Sequence, residues 1–415
     1  MLSDNQKRLI CRSGFGLLCA LPPILIALLI IARPGRNDIE RELAYRIGTP
    51  ATIDSLSRPR PGQVNLSTVS FNIKDDSPGA DARPWIHRDV VSWKSKGVLN
   101  CQTTPDAIDV KDLSKLVLSA LRQQSFGEHS KRPVKVHFDR LTIKDAAHPA
   151  FEFEAYEVQI QQWFTSNGWQ VAIEFRPNVD GKLIQFKQEI QKSPDETIQS
   201  WSFDTANQHV PVRLFQDFVP ELHFLGHRAQ IQGSLIAEKK DQDWKLEFKG
   251  RIDDVDLKDL IGEATGFETH GLATVERLQC SASQNRIQKL SGILRCNQGV
   301  LDGRLVQRLS SWPSISAPLL GNQPVTFYYL GIQFQFENGY AYLASARHLE
   351  SKEAMAITLN REPLLQQSSV TGTAVPIPKL LNTLIPRNNA TVPLTRESLL
   401  LLKLFGADTE SSNDE

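Results

Sequence analysis

Two short constellations carry residue types suited to chemistry. His223-Phe-Leu-Gly-His227 sets two imidazoles four residues apart, the spacing by which a helix shares a metal ion between them. Pro220 and Gly226 argue for a loop instead, and no third ligand lies nearby, so ordinary surface or core histidines are expected. Asp253, Asp254, Asp256 and Asp259 form an acidic cluster, but it lacks the glycine and closing glutamate of a calcium loop. The acidic first turn of a helix, favoured by the helix dipole, accounts for it. The five cysteines match no zinc spacing and no C-x-x-C pair. They read as buried small residues, with a Cys280–Cys296 disulfide as the alternative. No G-x-S-x-G, P-loop, dinucleotide fingerprint or H-E-x-x-H occurs. The expectation is a protein with no catalytic residues, no metal site and no cofactor, and not an enzyme.

The elements that would position any site start with Gly14 to Ala32, an uncharged apolar run between Arg12 and Arg33. As a helix rising about 1.5 Å per residue it reaches roughly 28 Å, enough to cross a hydrocarbon core of about 30 Å. Pro22 and Pro23 predict a kink near its middle. A cleaved signal would need a small-residue site, and only Ala32 precedes the charge, so an uncleaved anchor is the expectation. Residues 1–13 then form a short tail. Lys7, Arg8 and Arg12 on one side and Arg33, Arg36, Arg41 and Arg46 on the other leave the orientation open. With 47 basic and 47 acidic residues the chain has a formal charge of zero, which removes the electrostatic case for a nucleic-acid partner.

Beyond the anchor, a helix is expected over 37–48, capped by Asn37, with Ile39, Leu43, Ala44 and Ile47 on one stripe. A first β-rich region spans 50–192. In it, Val64 to Ile73 shifts phase between Leu66 and Val69, suggesting a bulge, and 109–126 has the helical repeat Leu113, Leu116, Val117, Ala120 and Leu121. Residues 193–375 form a second β-rich region of hairpins. Ile231, Leu235 and Ala237 alternate with polar residues, as do Trp244, Leu246, Phe248 and Ile252 after a turn at 239–243, while Lys245, Glu247, Lys249 and Arg251 face the other way. Asn338-Gly339 predicts a turn pairing Phe336 with Ala341 and Phe334 with Leu343. Short helices are expected over 376–405 and a disordered acidic tail over 406–415.

Arg46-Ile-Gly-Thr-Pro50-Ala-Thr-Ile53 after an anchor and short helix, leading into Val64-Asn-Leu66-Ser-Thr-Val69-Ser-Phe71, resembles the start of AsmA-like proteins. The strand-pair, short-helix, Gly-x-strand unit, with Gly250, Gly271, Gly292 and Gly303, resembles their repeating middle. The resemblance implies a single-pass inner-membrane protein, N-terminus cytoplasmic and body periplasmic. It implies a mainly β fold, a long curved antiparallel sheet or β-groove, with a role in lipid transport or outer-membrane maintenance. On that reading Ile231, Leu235, Trp244, Leu246, Phe248, Ile252, Phe334 and Phe336 face lipid, and the partners are membrane lipids and other envelope proteins. The same alternation builds a closed β-sandwich, and the alternative function is an anchored envelope scaffold binding a protein partner.

Overall fold

The computed structural model describes residues 35–47, 49–60, 63–73, 83–87, 91–94, 98–101, 107–122, 134–165, 168–192, 196–240, 243–262, 265–283, 286–312, 315–318, 322–346, 353–367 and 374–377. The apolar run 14–32, the tail before it, the short helices expected after 377 and the acidic tail lie outside them. Among the described residues no helix is long and apolar enough to cross a membrane.

Helix α1 (Arg36–Ile47) precedes strands β1 (Ala51–Arg60), β2 (Gln63–Ile73), β3 (Arg83–His87), β4 (Val91–Lys94), β5 (Val98–Cys101) and β6 (Ile108–Asp109). Helix α2 (Val110–Arg122) leads to β7 (Val134–Lys144), β8 (Glu152–Thr165), β9 (Gly168–Arg176), β10 (Ile184–Lys192), β11 (Thr197–Asp204) and β12 (Val210–Pro211). After two 3-10 turns, Val212–Leu214 and Pro220–Leu225, come β13 (Gln230–Lys240) and β14 (Asp243–Asp256). A π turn, Lys258–Gly262, separates these from β15 (His270–Ser283) and β16 (Arg286–Leu301), and helix α3 (Gly303–Leu309) follows. The chain ends in β17 (Ile315–Ser316), β18 (Val325–Glu337), β19 (Tyr340–Ser345), β20 (Ala354–Thr358), β21 (Pro363–Gln367) and β22 (Val375–Pro376).

These strands join one 22-stranded sheet that is mixed and not closed into a barrel. β5 and β6 pair in parallel with β7; every other pairing among the described residues is antiparallel. That corrects the purely antiparallel expectation, and α2 is the reason, because a parallel neighbour needs a crossover connection. The strands on either side of the boundary expected at 193 belong to the same sheet: β10 pairs with β11 from Gln185↔Asp204 to Lys192↔Thr197, and β11 pairs with β13.

The sheet's two long margins are built differently. One carries tight hairpins, closed by the pairs Arg60↔Gln63, Thr165↔Gly168, Lys240↔Asp243, Ser283↔Arg286 and Glu337↔Tyr340. The other carries the long connections: α1, the start of α2, the two 3-10 turns, the π turn and α3. Alternating strands of a meander must turn at both ends, so the covering elements collect where the connections are longer.

Four strands share one backbone device, and in three of them, β8, β14 and β15, the register shifts there. Thr68, Glu157, Asp254 and Arg277 take φ of +46°, +49°, +55° and +51°. At each, buried apolar residues are spaced by three instead of two: Leu66 and Val69, Ala155 and Val158, Ile252 and Val255, Val275 and Leu278. The three-residue step keeps the apolar set on one face, and where the register shifts it bends the strand. The phase change expected between Leu66 and Val69 is present at Thr68, but β2 keeps its register with β1 there, Ile53↔Val69 and Leu56↔Leu66, and the strand on its other side is split into β3 and β4. Gly250, Gly271, Gly292 and Gly303 do not share a structural position: Gly271 has φ +146° opposite Gly299, whereas Gly303 opens α3.

α1 begins one residue before the expected cap Asn37, and Asp38 accepts a hydrogen bond from Gly35 N at 2.8 Å. Its Ile39 and Leu43 are buried on the sheet, as the stripe predicted. It also closes the edge of β1: Glu40 Oε1 accepts from Ile53 N at 2.8 Å, and Arg36 donates to Asp54 O at 3.0 Å. Filling an edge strand's backbone groups with side chains blocks further strand addition there. α2 covers 110–122 of the expected 109–126; Asp109 ends β6, and residues 123–126 lie outside the described residues.

Candidate functional site

One face of the sheet carries an unbroken apolar row. Val136 of β7 pairs with Ile160 of β8, Ile160 with Ile173 of β9, Ile173 with Phe186 of β10, and Phe186 with Phe203 of β11. The row continues through Leu235, Phe248, Cys280, Leu290 and Phe336 to Ala341 and Val375. Residues directly opposite one another in neighbouring strands project from the same face, so these twelve side chains make one stripe across the strands. On β14 the opposite face is charged, with Lys245, Glu247, Lys249 and Arg251 exposed.

The eight residues singled out from the sequence all fall on this face. Leu235, Phe248 and Phe336 belong to the central row. Ile231 and Ile252 belong to a parallel row nearer the connection margin, Val210–Ile231–Ile252–Val275–Leu294–Ile332. Leu246 lies in a third row nearer the hairpins, Gln188–Trp201–Ala237–Leu246–Ala282–Ile287. Trp244, beside the β13–β14 turn, stacks on Trp201 with ring centroids 4.8 Å apart, and Lys239 Nζ sits 5.5 Å from its ring. Phe334 lies over Gly292, where an added Cβ would come within 2.9 Å of the ring. Phe248 lies over Gly250 in the same way, at 2.8 Å. Glycine beneath each ring lets it lie flat, so two large aromatics cover the face without filling the space above it.

Burial along the strands is graded. Towards the connections, Ile252, Val255, Val275, Leu301 and Phe327 are buried together with Leu257, Phe267 and the α3 residues Leu305, Val306 and Leu309. Towards the hairpins, Trp244, Leu246, Ile287, Leu290, Phe334 and Phe336 are only half-buried. On β14, β16 and β18 the caps therefore cover part of the width and leave an apolar band beside the hairpins, whereas on β9 and β10 Trp169, Val171 and Ile190 are buried beside the hairpin as well.

A buried ion pair holds the caps in place. Arg213, in the first 3-10 turn, is 4% exposed and donates from Nε to Asp145 Oδ2 at 2.6 Å; Asp145, at the end of β7, is 1% exposed. Arg213 also donates to Gln216 Oε1 at 3.0 Å, and Gln216 reaches the carbonyls of Leu222 and Gly226. Burial alone would raise the Asp145 pKa, but hydrogen bonds from Arg213, His148 and Ala147 N outweigh it and hold the carboxyl well below the usual carboxylate range. Asp302 caps α3 by accepting from Arg304 N at 2.8 Å and ties it to the preceding loop through Glu268 N at 3.1 Å. Its carboxyl is likewise held low, burial being outweighed by the Arg304 hydrogen bonds.

The constellations that suggested chemistry resolve differently. His223 sits in the 3-10 turn Pro220–Leu225, while His227 stacks on His148 at 5.3 Å. Among the described residues no group of three His, Cys, Asp or Glu side chains is gathered to hold a metal. Asp253, Asp254 and Asp256 are in β14, not in the first turn of a helix. Asp253 is bound there by Arg251 at 2.7 Å and Thr274 at 3.0 Å. Cys280 and Cys296 are free; they pair with Leu290 and Ala273, in different rows, so the register keeps them apart. Burial raises both thiol pKa values.

Phe186, Phe203, Cys280, Leu290, Trp201 and Gln188 complete the face and were not picked out from the sequence. Bulges at Arg277 and between Ser281 and Ala282 reset the alternation that would have revealed Cys280 and Leu290. The fold and site together define a mainly β protein with one open sheet whose apolar face is only partly covered. No protein-family model, curated protein or solved structure matches the chain.

Proposed function

We propose that the chain is a membrane-anchored envelope protein of AsmA-like type that binds phospholipid acyl chains along this face and contributes to lipid transport or outer-membrane maintenance. The observation that carries the reading is the continuous apolar row from Val136 to Val375, half-buried beside the hairpins at Leu235, Leu290 and Phe336. A half-buried apolar band of this kind favours an apolar occupant, because the part left in water costs about 25 cal/mol per Å². At about 4.8 Å between strands, an acyl chain that reaches halfway through a bilayer core, about 15 Å, crosses roughly three strands. The face is therefore long enough for several chains in file, and on this reading the bulges of β8, β14 and β15 bend it around them. The apolar run 14–32 supplies the anchor.

The test is the amount of phospholipid extracted with the full-length protein, compared with a Leu246→Asp, Phe248→Asp double variant. The expected result is a variant that keeps only the lipid held by its anchor. Unchanged loading would overturn the lipid reading and favour the scaffold reading.

A further inference from the structure

The solvated face of the same sheet holds a cleft. Asp204 of β11 pairs in register with Ser234 of β13, and Ser234 with Lys249 of β14; two residues along, Gln232 pairs with Arg251. These side chains share one face, opposite the apolar row. They line an open cavity of about 650 Å³, walled by Lys182 and Asn207 and floored by the strand backbone at Gly233 and Gly250. A volume in this range holds a small organic molecule and not merely a bare ion. Its walls are set in advance. The loop between β9 and β10, which carries Lys182, is pinned where Arg176 Nη1 donates to Gly181 O at 2.7 Å. The turn after β11 runs through Ala206 and Asn207 with left-handed φ of +49° and +62°, uncommon outside glycine. Gln232 Nε2 holds it by donating to Asn207 O at 2.9 Å, and Gly233 N by donating to Thr205 Oγ1 at 2.9 Å. The charge of the cleft is not balanced internally. Lys182 and Lys249 are exposed and have no ion-pair partner among the described residues. Lys245 on the same strand stands opposite Glu238, but Lys249 stands between Ser234 and Gln279. Arg251 is matched by Asp253 at 2.7 Å, and Asp204 already accepts from Ala206 N at 2.8 Å. Two ammonium groups against the Asp204 carboxylate leave the cleft positive, in a chain of zero formal charge.

We propose that this cleft binds the phosphate of a small phosphorylated sugar or polyol. Lys182, Lys249 and the hydroxyl of Ser234 supply donors to the phosphate oxygens, lysine acting as a point charge suited to that group. Asp204 accepts from the hydroxyls of the ligand. The neighbouring positions on this face, Gln185, Ser202, Glu247 and Gln279, are polar, and Ile236 alone among them is no bed for acyl chains, so the ligand is chain-free. The inference goes beyond the acyl-chain reading and does not depend on it, because the two sites lie on opposite faces of the sheet.

Full-length protein, stripped of lipid and held in amphipathic polymer, is titrated at low ionic strength with glycerol 3-phosphate, with glycerol and with dihexanoyl-phosphatidylglycerol. The expected result is saturable one-to-one binding of glycerol 3-phosphate and none of glycerol. Lys249→Ala and Lys182→Ala, both at exposed positions, should each weaken that binding by about tenfold, the value of one hydrogen bond to a charged group. Lys245→Ala, on the same face but outside the cleft, should leave it unchanged. No saturable binding would overturn the proposal. Equal losses from Lys245→Ala and Lys249→Ala would overturn it too, since they show only diffuse attraction to a charged face. If Lys249→Ala weakens binding of the lipid as much as that of glycerol 3-phosphate, the cleft is a headgroup site and the chain-free assignment is overturned. Binding of glycerol 3-phosphate by a protein that takes up no lipid would strike the acyl-chain reading and uphold the cleft.

Discussion

On β14, Ile252 and Val255 are buried under Leu257 and Phe267, whereas Trp244 and Leu246 at the other end of the same strand keep part of their surface in water. The same contrast holds on β16, between Leu301 under α3 and Leu290 beside the hairpin, and on β18, between Phe327 and Phe336. Each of these three strands is thus stabilised at its connection end, where full burial of a large apolar side chain contributes about 1.5–3 kcal/mol. Its hairpin end gives up part of that gain. The difference teaches that packing is divided across the width of these strands: the caps bury the connection ends, and the hairpin ends keep part of their apolar surface in water.

The sharpest way to break this division is at the ion pair under the caps. Arg213→Ala leaves Asp145 buried without its partner and should destabilise the protein by about 3–5 kcal/mol in urea or thermal unfolding. Truncations at the two margins should differ next. Leu305→Ala, fully buried in α3, is expected to cost about 2–5 kcal/mol, and Leu246→Ala about 1 kcal/mol because much of its surface is already wet. Equal costs would mean that the hairpin band is as tightly packed as the capped one.

Acid should act through the capped side. Asp145 has a folded pKa below its unfolded value near 3.9, so its stabilisation is complete above that pH and is lost as pH falls through the folded pKa. Unfolding midpoints should therefore change little between pH 7 and 5 on this account and drop below about pH 4; Arg213→Ala should show a shallower drop. The smallest effect belongs to a bulge. Arg277 has φ +51°, a left-handed conformation that costs a non-glycine residue about 1 kcal/mol, so Arg277→Gly should be neutral or stabilising by up to that amount. A large loss would show that the arginine side chain, not the bend, matters there.

Much of the strand layout was legible because hairpins announce themselves locally. The turn at Asn338-Gly339 gave Phe336↔Ala341 and Phe334↔Leu343, and alternation in β13 and β14 placed both strands and their oily face. Legibility failed where the period was broken or the information was nonlocal. Leu278 follows a bulge and falls out of phase with Val275, so β15 offers no run of alternation long enough to extend the face to Cys280. The aspartates of β14 resembled a helix start because the π turn follows immediately. Strands as short as β5 and β6 carry too few residues to reveal a parallel pairing to β7. Nothing local in the sequence places Gln188 on the oily face; its register with Val171 and Trp201 does.

The most direct test of an open, lipid-bearing hairpin band is photo-cross-linking in living cells from single positions of the full-length chain. A photoreactive residue would replace Leu246 or Leu290 in the band, Val255 under the caps, or the exposed Ile236 on the opposite face. The account predicts phospholipid adducts by mass spectrometry from 246 and 290 and none from 255 or 236. Lipid adducts from 236 as abundant as those from 246, or none from any position, would contradict it.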